Sequence, residues 1–241
     1  MILHGLFGTL DNWQTIARQL GETFKVITFD LRNHGRSPHS EEFDISLMAT
    51  DVYEMLQLLH IGSAVMIGHS MGAKVVMHFA LAYPALTDGL MVMDMAPRKY
   101  ARGHDDIFDA LENVDLTAPG RKDVEMQLSR TIHEDSTIQF LMKNLSRNED
   151  GQGFHWKMNL AVLKDRYEEI TQPVISEFPY EGPVLFLRGS ESRYVLDSDL
   201  VQIRGLFPYA ELQTISAAGH WLHADQPKAT YDAIRMFLEN I

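Results

Sequence analysis

Cysteine is absent from the 241-residue sequence. That excludes disulfides, a thiol nucleophile and Cys-ligated zinc or iron–sulfur centres. Basic charge is scarce: 21 Lys and Arg stand against 33 Asp and Glu, a formal net charge of −12. Such an excess repels phosphate backbones and anionic lipid. The densest basic stretch, Arg98 to Arg102 (R-K-Y-A-R), runs straight into Asp105 and Asp106, so no nucleic-acid partner is expected. No run approaches 18 uninterrupted apolar residues, and no membrane span is expected. The opening residues Met1 to Gly5 lack the basic region and apolar stretch of a secretory signal, so a cytoplasmic protein is the expectation. What is present, 45% hydrophobic and 22% charged residues, is the composition of a globular domain.

Two kinds of segment alternate along residues 1–97. Lys25 to Phe29 (K-V-I-T-F) reads as a buried strand, as do residues 64–67 and 89–93. Asp44 to His60 carries Ile45, Met48, Val52, Met55, Leu56 and Leu59 at helical spacing, with Asp44 as N-cap, and residues 71–83 repeat the helical pattern. Strands too apolar for a solvated face argue an α/β fold, a mostly parallel sheet with helices on both faces. After Pro97 the pattern turns helical, with segments at 105–114, 121–133, 137–145 and 160–170 and no strand-like run. Strands return at 183–187 and 211–215, and a last helix spans about 226–239. The expected organisation is a core of residues 1–97 and 180–241 interrupted by a helical cap insertion over 98–179, long enough for a connection to be functional.

The sharpest chemical signal is Gly68-His69-Ser70-Met71-Gly72, a G-x-S-x-G pattern placed directly between a strand and a helix. Flanking glycines permit a turn tight enough to leave the serine hydroxyl exposed on a strained backbone. The alternative is an ordinary strand-to-helix turn. His4-Gly5-Leu6-Phe7-Gly8 follows the apolar Met1 to Leu3. Such a loop can set the Leu6 N–H opposite the Met71 N–H as an oxyanion hole. Ala217-Ala218-Gly219-His220-Trp221 follows the last strand, and His220 is the candidate general base, with His223 its nearby rival. His69 neighbours the serine in sequence, which points its own side chain elsewhere.

Together H-G-x-x-G, G-H-S-M-G and the late G-H-W make the whole chain similar to the α/β-hydrolase superfamily. The resemblance is nearest to small bacterial serine esterases of the YbfF type, through H-G-L-F-G-T-L-D-N-W, D-L-R-N-H-G-R-S, D-M-A-P and G-H-W-L-H-A. It implies the α/β-hydrolase fold and a Ser–His–acid catalytic triad. In that frame Asp30 to Ser37 is a structural loop that holds the oxyanion loop and rim. The superfamily usually places its acid about three residues after the glycine closing P-V-L-F-L-R-G, but Ser192 stands there. Glu191, Asp197, Asp199 and Asp94 remain as carboxylates. The resemblance favours Asp94, at the end of G-L-M-V-M, with Ser192 as an auxiliary hydrogen-bonding partner. The superfamily also carries one or two strands ahead of H-G-x-x-G, so either the sheet is short of its first strands or the chain is truncated.

The expected activity is hydrolysis of short to medium carboxylic esters through an acyl-enzyme, with no cofactor and no metal. An acyl-CoA thioesterase is the near alternative, with Arg98, Lys99 and Arg102 as a local phosphate-binding group. A cofactor-free haloperoxidase or lyase and a non-catalytic ligand receptor are further alternatives on the same fold. Phe140 and Trp156 lead the candidates for an acyl pocket, together with Phe108, Leu111, Leu141 and Leu160; helical spacing equally suits the cap's own core. A monomer or homodimer is expected.

Overall fold

Strand residues that alternate between two buried faces require covering layers on both sides. In the computed structural model, which describes residues 1–241, five strands form one parallel sheet: β1 (Ile2–Leu3), β2 (Ala64–His69), β3 (Thr87–Met93), β6 (Val184–Gly189) and β7 (Ala210–Ile215), in the order β1-β2-β3-β6-β7. Leu90, Val92 and Phe186 point to one core, shared with Met48 and Val52 of α2 (Ile45–Leu58) and Val76 and Phe79 of α3 (Met71–Ala82). Met91, Met93 and Leu187 point to the other, shared with Ile16 of α1 (Gln14–Leu20) and Ile234 of α11 (Pro227–Glu239). Asp44 caps α2, its Oδ1 accepting the Leu47 N–H at 2.7 Å. The fold is the α/β-hydrolase fold.

Between β3 and β6 lie α4 (Asp105–Glu112), α5 (Arg121–Leu128), α6 (Asp135–Met142), α7 (Leu160–Asp165) and α8 (Tyr167–Thr171). This insertion also contains an antiparallel hairpin, β4 (Leu145–Arg147) with β5 (Phe154–Trp156), where no strand was expected. Three-residue strands are too short to display a period, and the Asn148–Gly153 separator is the hairpin's turn, with Gly151 and Gly153 at φ 76° and 67°. The expected single helix over 160–170 is broken at Arg166, where ψ rises to 14°. After β6 follow α9 (Leu200–Leu206), β7, α10 (Leu222–Asp225) and α11.

Lys25 to Phe29 is not the buried strand expected from its composition. One bridge, Ile2 to Thr28, is all that pairs it. Residues 26–29 stay half-buried.

Candidate active site

Parallel strands present their carboxyl ends at one sheet edge, where ligands of open α/β sheets bind. Here two adjacent strands, β2 and β3, deliver the serine and the aspartate singled out above, and the loop after β7 delivers the histidine. β2 ends at His69 and hands over to Ser70; β3 ends at Met93 and hands over to Asp94, with His69 and Met93 in register. The Ser70 N–H donates to the Met93 carbonyl at 3.1 Å, and the Asp94 N–H to that of Leu187 at 2.8 Å. Ser70 takes φ 55° and ψ −118°, and Asp94 φ 49°. Such positive-φ conformations cost a non-glycine residue on the order of 1–3 kcal/mol and persist only where the surroundings over-determine them. The tight approach at the elbow depends on Gly72: a Cβ there would stand 2.5 Å from the His4 carbonyl oxygen.

A continuous hydrogen-bond relay follows. His220 Nδ1 lies 2.7 Å from Asp94 Oδ2, and His220 Nε2 lies 3.0 Å from Ser70 Oγ. A carboxylate only accepts, so the His220 proton sits on Nδ1 and Nε2 offers its lone pair to the serine hydroxyl. Asp94 is fully buried. Its Oδ2 also accepts from the Ser192 hydroxyl and its Oδ1 from the Gly189 N–H at 3.3 Å. Glu191 is exposed at the rim of the cavity, and Asp199 is engaged by Arg98 and the Leu196 N–H. Asp197 pairs with Arg188. Of the carboxylates weighed from the sequence, Asp94 is the one in contact with His220. His223 stacks on Trp13, with ring centroids 4.5 Å apart, and takes no part in the relay.

Leu6 and Met71 line the cavity beside Ser70, and the Leu6 N–H has no protein acceptor. Met71 opens α3, so its N–H has no intrahelical partner either. The loop carrying Leu6 is held from below by His4, whose Nδ1–H donates to the Gly5 carbonyl at 2.8 Å while Nε2 accepts the Leu31 N–H at 2.9 Å. Burial lowers the pKa of His4, which keeps its ring neutral and able to do both. Asp30 ties the neighbouring loop, accepting the Leu10 N–H at 2.7 Å and the Arg36 N–H at 2.9 Å. The Asp30–Ser37 segment thus has the structural role expected of it.

Ser70 and His220 sit between two cavities. The larger, about 560 Å³, runs along Met95, Tyr167, Ile170 and Tyr194 toward Arg102 and Arg193. The smaller, about 50 Å³, is closed by Phe7, Ile107, Phe140, Leu141 and Trp221. Phe140 reaches this smaller cavity, where its ring packs 5.1 Å from that of Trp221. Trp156 lines neither: it is buried inside the insertion, its indole N–H donating to the Leu111 carbonyl at 3.1 Å. Phe108 and Leu111 are likewise core of the insertion. Of the two aromatic side chains singled out for a pocket, Trp156 is corrected to a packing role, because β5 turns its ring inward.

Two neighbours of His220 were not singled out from the sequence. Tyr194 stacks on its imidazole at 3.9 Å, and the His69 ring lies 4.7 Å away. Tyr194 follows Ser192 by two residues, and that loop was the available signal. Burial pushes His104 and His223 down to about 4, so neither adds positive charge beside His220 at neutral pH.

A family model described as the alpha/beta hydrolase fold matches residues 1–227. Over 249 residues, 99% of this chain and 78% of the relative, the chain is 39% identical to an sn-1-specific diacylglycerol lipase of Danio rerio. It is 36% identical to the esterase YbfF of Escherichia coli over 243 residues, covering 100% of this chain and 92% of the relative. The solved structure of a marine microorganism esterase superimposes with a TM-score of 0.95 at 41% identity, covering 98% of this chain and 93% of that one. No helix is long and apolar enough to cross a membrane. From the sheet order, the serine turn and the match along nearly all of its length, the chain belongs to the α/β-hydrolase fold family.

Proposed function

We propose that the protein is a serine esterase that cleaves carboxylic esters through an acyl-enzyme. The observation that carries this reading is the relay Asp94–His220–Ser70, with 2.7 Å and 3.0 Å between its polar atoms. It opens onto a cavity lined by two residues with free N–H groups, Leu6 and Met71. His220 Nε2 takes the Ser70 proton as Oγ attacks the acyl carbon, and the carbonyl oxygen, now an anion, accepts from the Leu6 and Met71 N–H groups. Collapse breaks the bond to the alkoxy oxygen, which leaves as an alcohol with the proton from His220. Water then repeats the cycle on the acyl-enzyme, releasing a carboxylic acid and restoring Ser70. Asp94 holds the His220 tautomer and balances the charge the ring acquires, and Ser192 anchors the carboxylate. All of these groups belong to one chain, so a monomer suffices, and a chain without cysteine suits the reducing cytoplasm.

The unequal cavities favour an ester with a small apolar group on one side of the scissile bond and a larger one on the other. A lipase and two esterases among the relatives agree with this chemistry. Arg193, exposed at the large cavity with no carboxylate partner, favours a second reading, a thioester with an anionic leaving group. Arg98 and Arg102 are already paired with Asp199 and Asp105, which leaves the ester as the first reading.

A panel of p-nitrophenyl esters and acyl-CoA thioesters of increasing chain length tests both. Esters should turn over, and Ser70→Ala should lose on the order of 10³-fold or more in kcat with the fold intact. An active alanine variant would remove the proposal, and hydrolysis confined to thioesters would promote the second reading.

A further inference from the structure

His69 is buried, 4% exposed, in the last position of β2. Its side chain does not bond to Ser70. Its Nε2 lies 2.8 Å from the main-chain carbonyl oxygen of His220, across 151 positions of sequence. Burial, and then the neighbouring His220 and His223, hold its pKa well below the ordinary histidine value. The ring is therefore neutral with one N–H, and a carbonyl partner requires that proton on Nε2. No backbone N–H donates to the His220 carbonyl. The rest of the loop is anchored elsewhere, by Ala217 N–H to Ser190 Oγ at 2.9 Å and Gly219 N–H to Asp225 Oδ2 at 2.8 Å.

We propose that His69 is a positioning residue: its Nε2–H holds the His220 carbonyl and thereby ties the loop of the general base to the strand that delivers the nucleophile. The inference rests on the Ser70–His220–Asp94 reading. Its physical basis is the narrow range over which a proton passes from Oγ to Nε2, about 2.6–3.2 Å. Asp94 and Tyr194 hold the His220 ring, but both reach it from strand ends other than β2. His69 is the link that shares a backbone with Ser70 itself, so a shift of the serine turn carries the His220 carbonyl with it. The oxyanion loop packs on the same ring: a Cβ on Gly5 would stand 3.2 Å from His69 Nδ1 and 3.0 Å from Ser70 Cβ.

Three variants separate positioning from filling space. His69→Gln carries an amide N–H at the reach of Nε2, the amide of His69→Asn falls one methylene short, and His69→Leu has no donor. With p-nitrophenyl butyrate as probe, the Asn and Leu variants should lose kcat by about 10- to 100-fold, the scale of a 1 Å misplacement. KM should stay within about twofold and the Gln variant should recover to within about fivefold of the parent. Thermal melts identify which variants are folded, and the Gln–Asn pair decides the matter if the Leu variant does not fold. A folded Asn variant with parental kcat, or a folded Gln variant as impaired as Asn, overturns the inference. A parent that hydrolyses no ester, or that Ser70→Ala leaves active, overturns the underlying triad reading instead.

Discussion

Asp94 is held in a backbone conformation that few aspartates adopt, φ 49°, fully buried and with three hydrogen-bond donors on its two oxygens. A carboxylate so placed is stable only because His220, Ser192 and the Gly189 N–H all point at it. Removing its charge while keeping its shape isolates its chemistry. Asp94→Asn should lose about 10⁴-fold in turnover, since the amide favours the wrong His220 tautomer and cannot balance imidazolium charge. Ser192→Ala removes one of the three donors and should fall between that and the parent. Glu191→Gln, at an exposed position without contact to His220, should lose less than about tenfold. Kinetics beside melting curves check all three; a folded, near-normal Asp94→Asn with a dead Glu191→Gln would reverse the assignment.

At the scale of elements, the strand-to-helix serine turn and the late histidine loop were legible because glycines and an apolar run mark them in one continuous stretch. The contact of Asp94 with His220 was legible only through resemblance to a family, since it depends on β3 lying between β2 and β6. The β4–β5 hairpin was not legible, and neither was the grip of His69 on a main-chain carbonyl: a carbonyl partner leaves no mark in the side-chain pattern. Lys25 to Phe29 failed as a strand because composition alone cannot supply a neighbouring ladder. The two aromatics of the insertion diverge for the same reason, their elements facing different ways. Phe140 closes the small cavity from α6, so Phe140→Ala should shift the preferred ester toward a bulkier group on that side of the scissile bond. Trp156 on β5 fills the insertion's core, so Trp156→Ala should leave that preference unchanged and cost about 3–5 kcal/mol of stability. A chain-length profile and a denaturant titration on each variant measure both; a parental profile for Phe140→Ala contradicts the placement of the small substituent.

At the scale of the whole molecule, fully buried polar side chains join the core to the insertion, Lys74 among them. Lys74 on α3 donates through Nζ to the Gln172 carbonyl just beyond α8, and lies 5.0 Å from the centre of the Tyr100 ring. Burial, reinforced by Arg98, pushes its pKa from 10.5 down to about 7. Between pH 7 and 10.5 the unfolded chain therefore holds a proton there that the folded chain has released, so this group makes stability rise with pH across that window. Below pH 7 both states are charged and the cost of burying the ammonium is felt in full. Lys74→Met should melt higher than the parent at pH 7, with the gap narrowing toward pH 10. A gap that does not change with pH would show that Lys74 does not titrate in this window.

Peptide mass spectrometry after treatment with a fluorophosphonate reads out whether Ser70 is the nucleophile of a working serine hydrolase. A hydroxyl activated by His220 and opposed by free N–H groups should displace fluoride and carry one covalent adduct, on the peptide containing Ser70, and Ser70→Ala should carry none. An unmodified Ser70 in folded protein, or an adduct on another serine, would contradict the account.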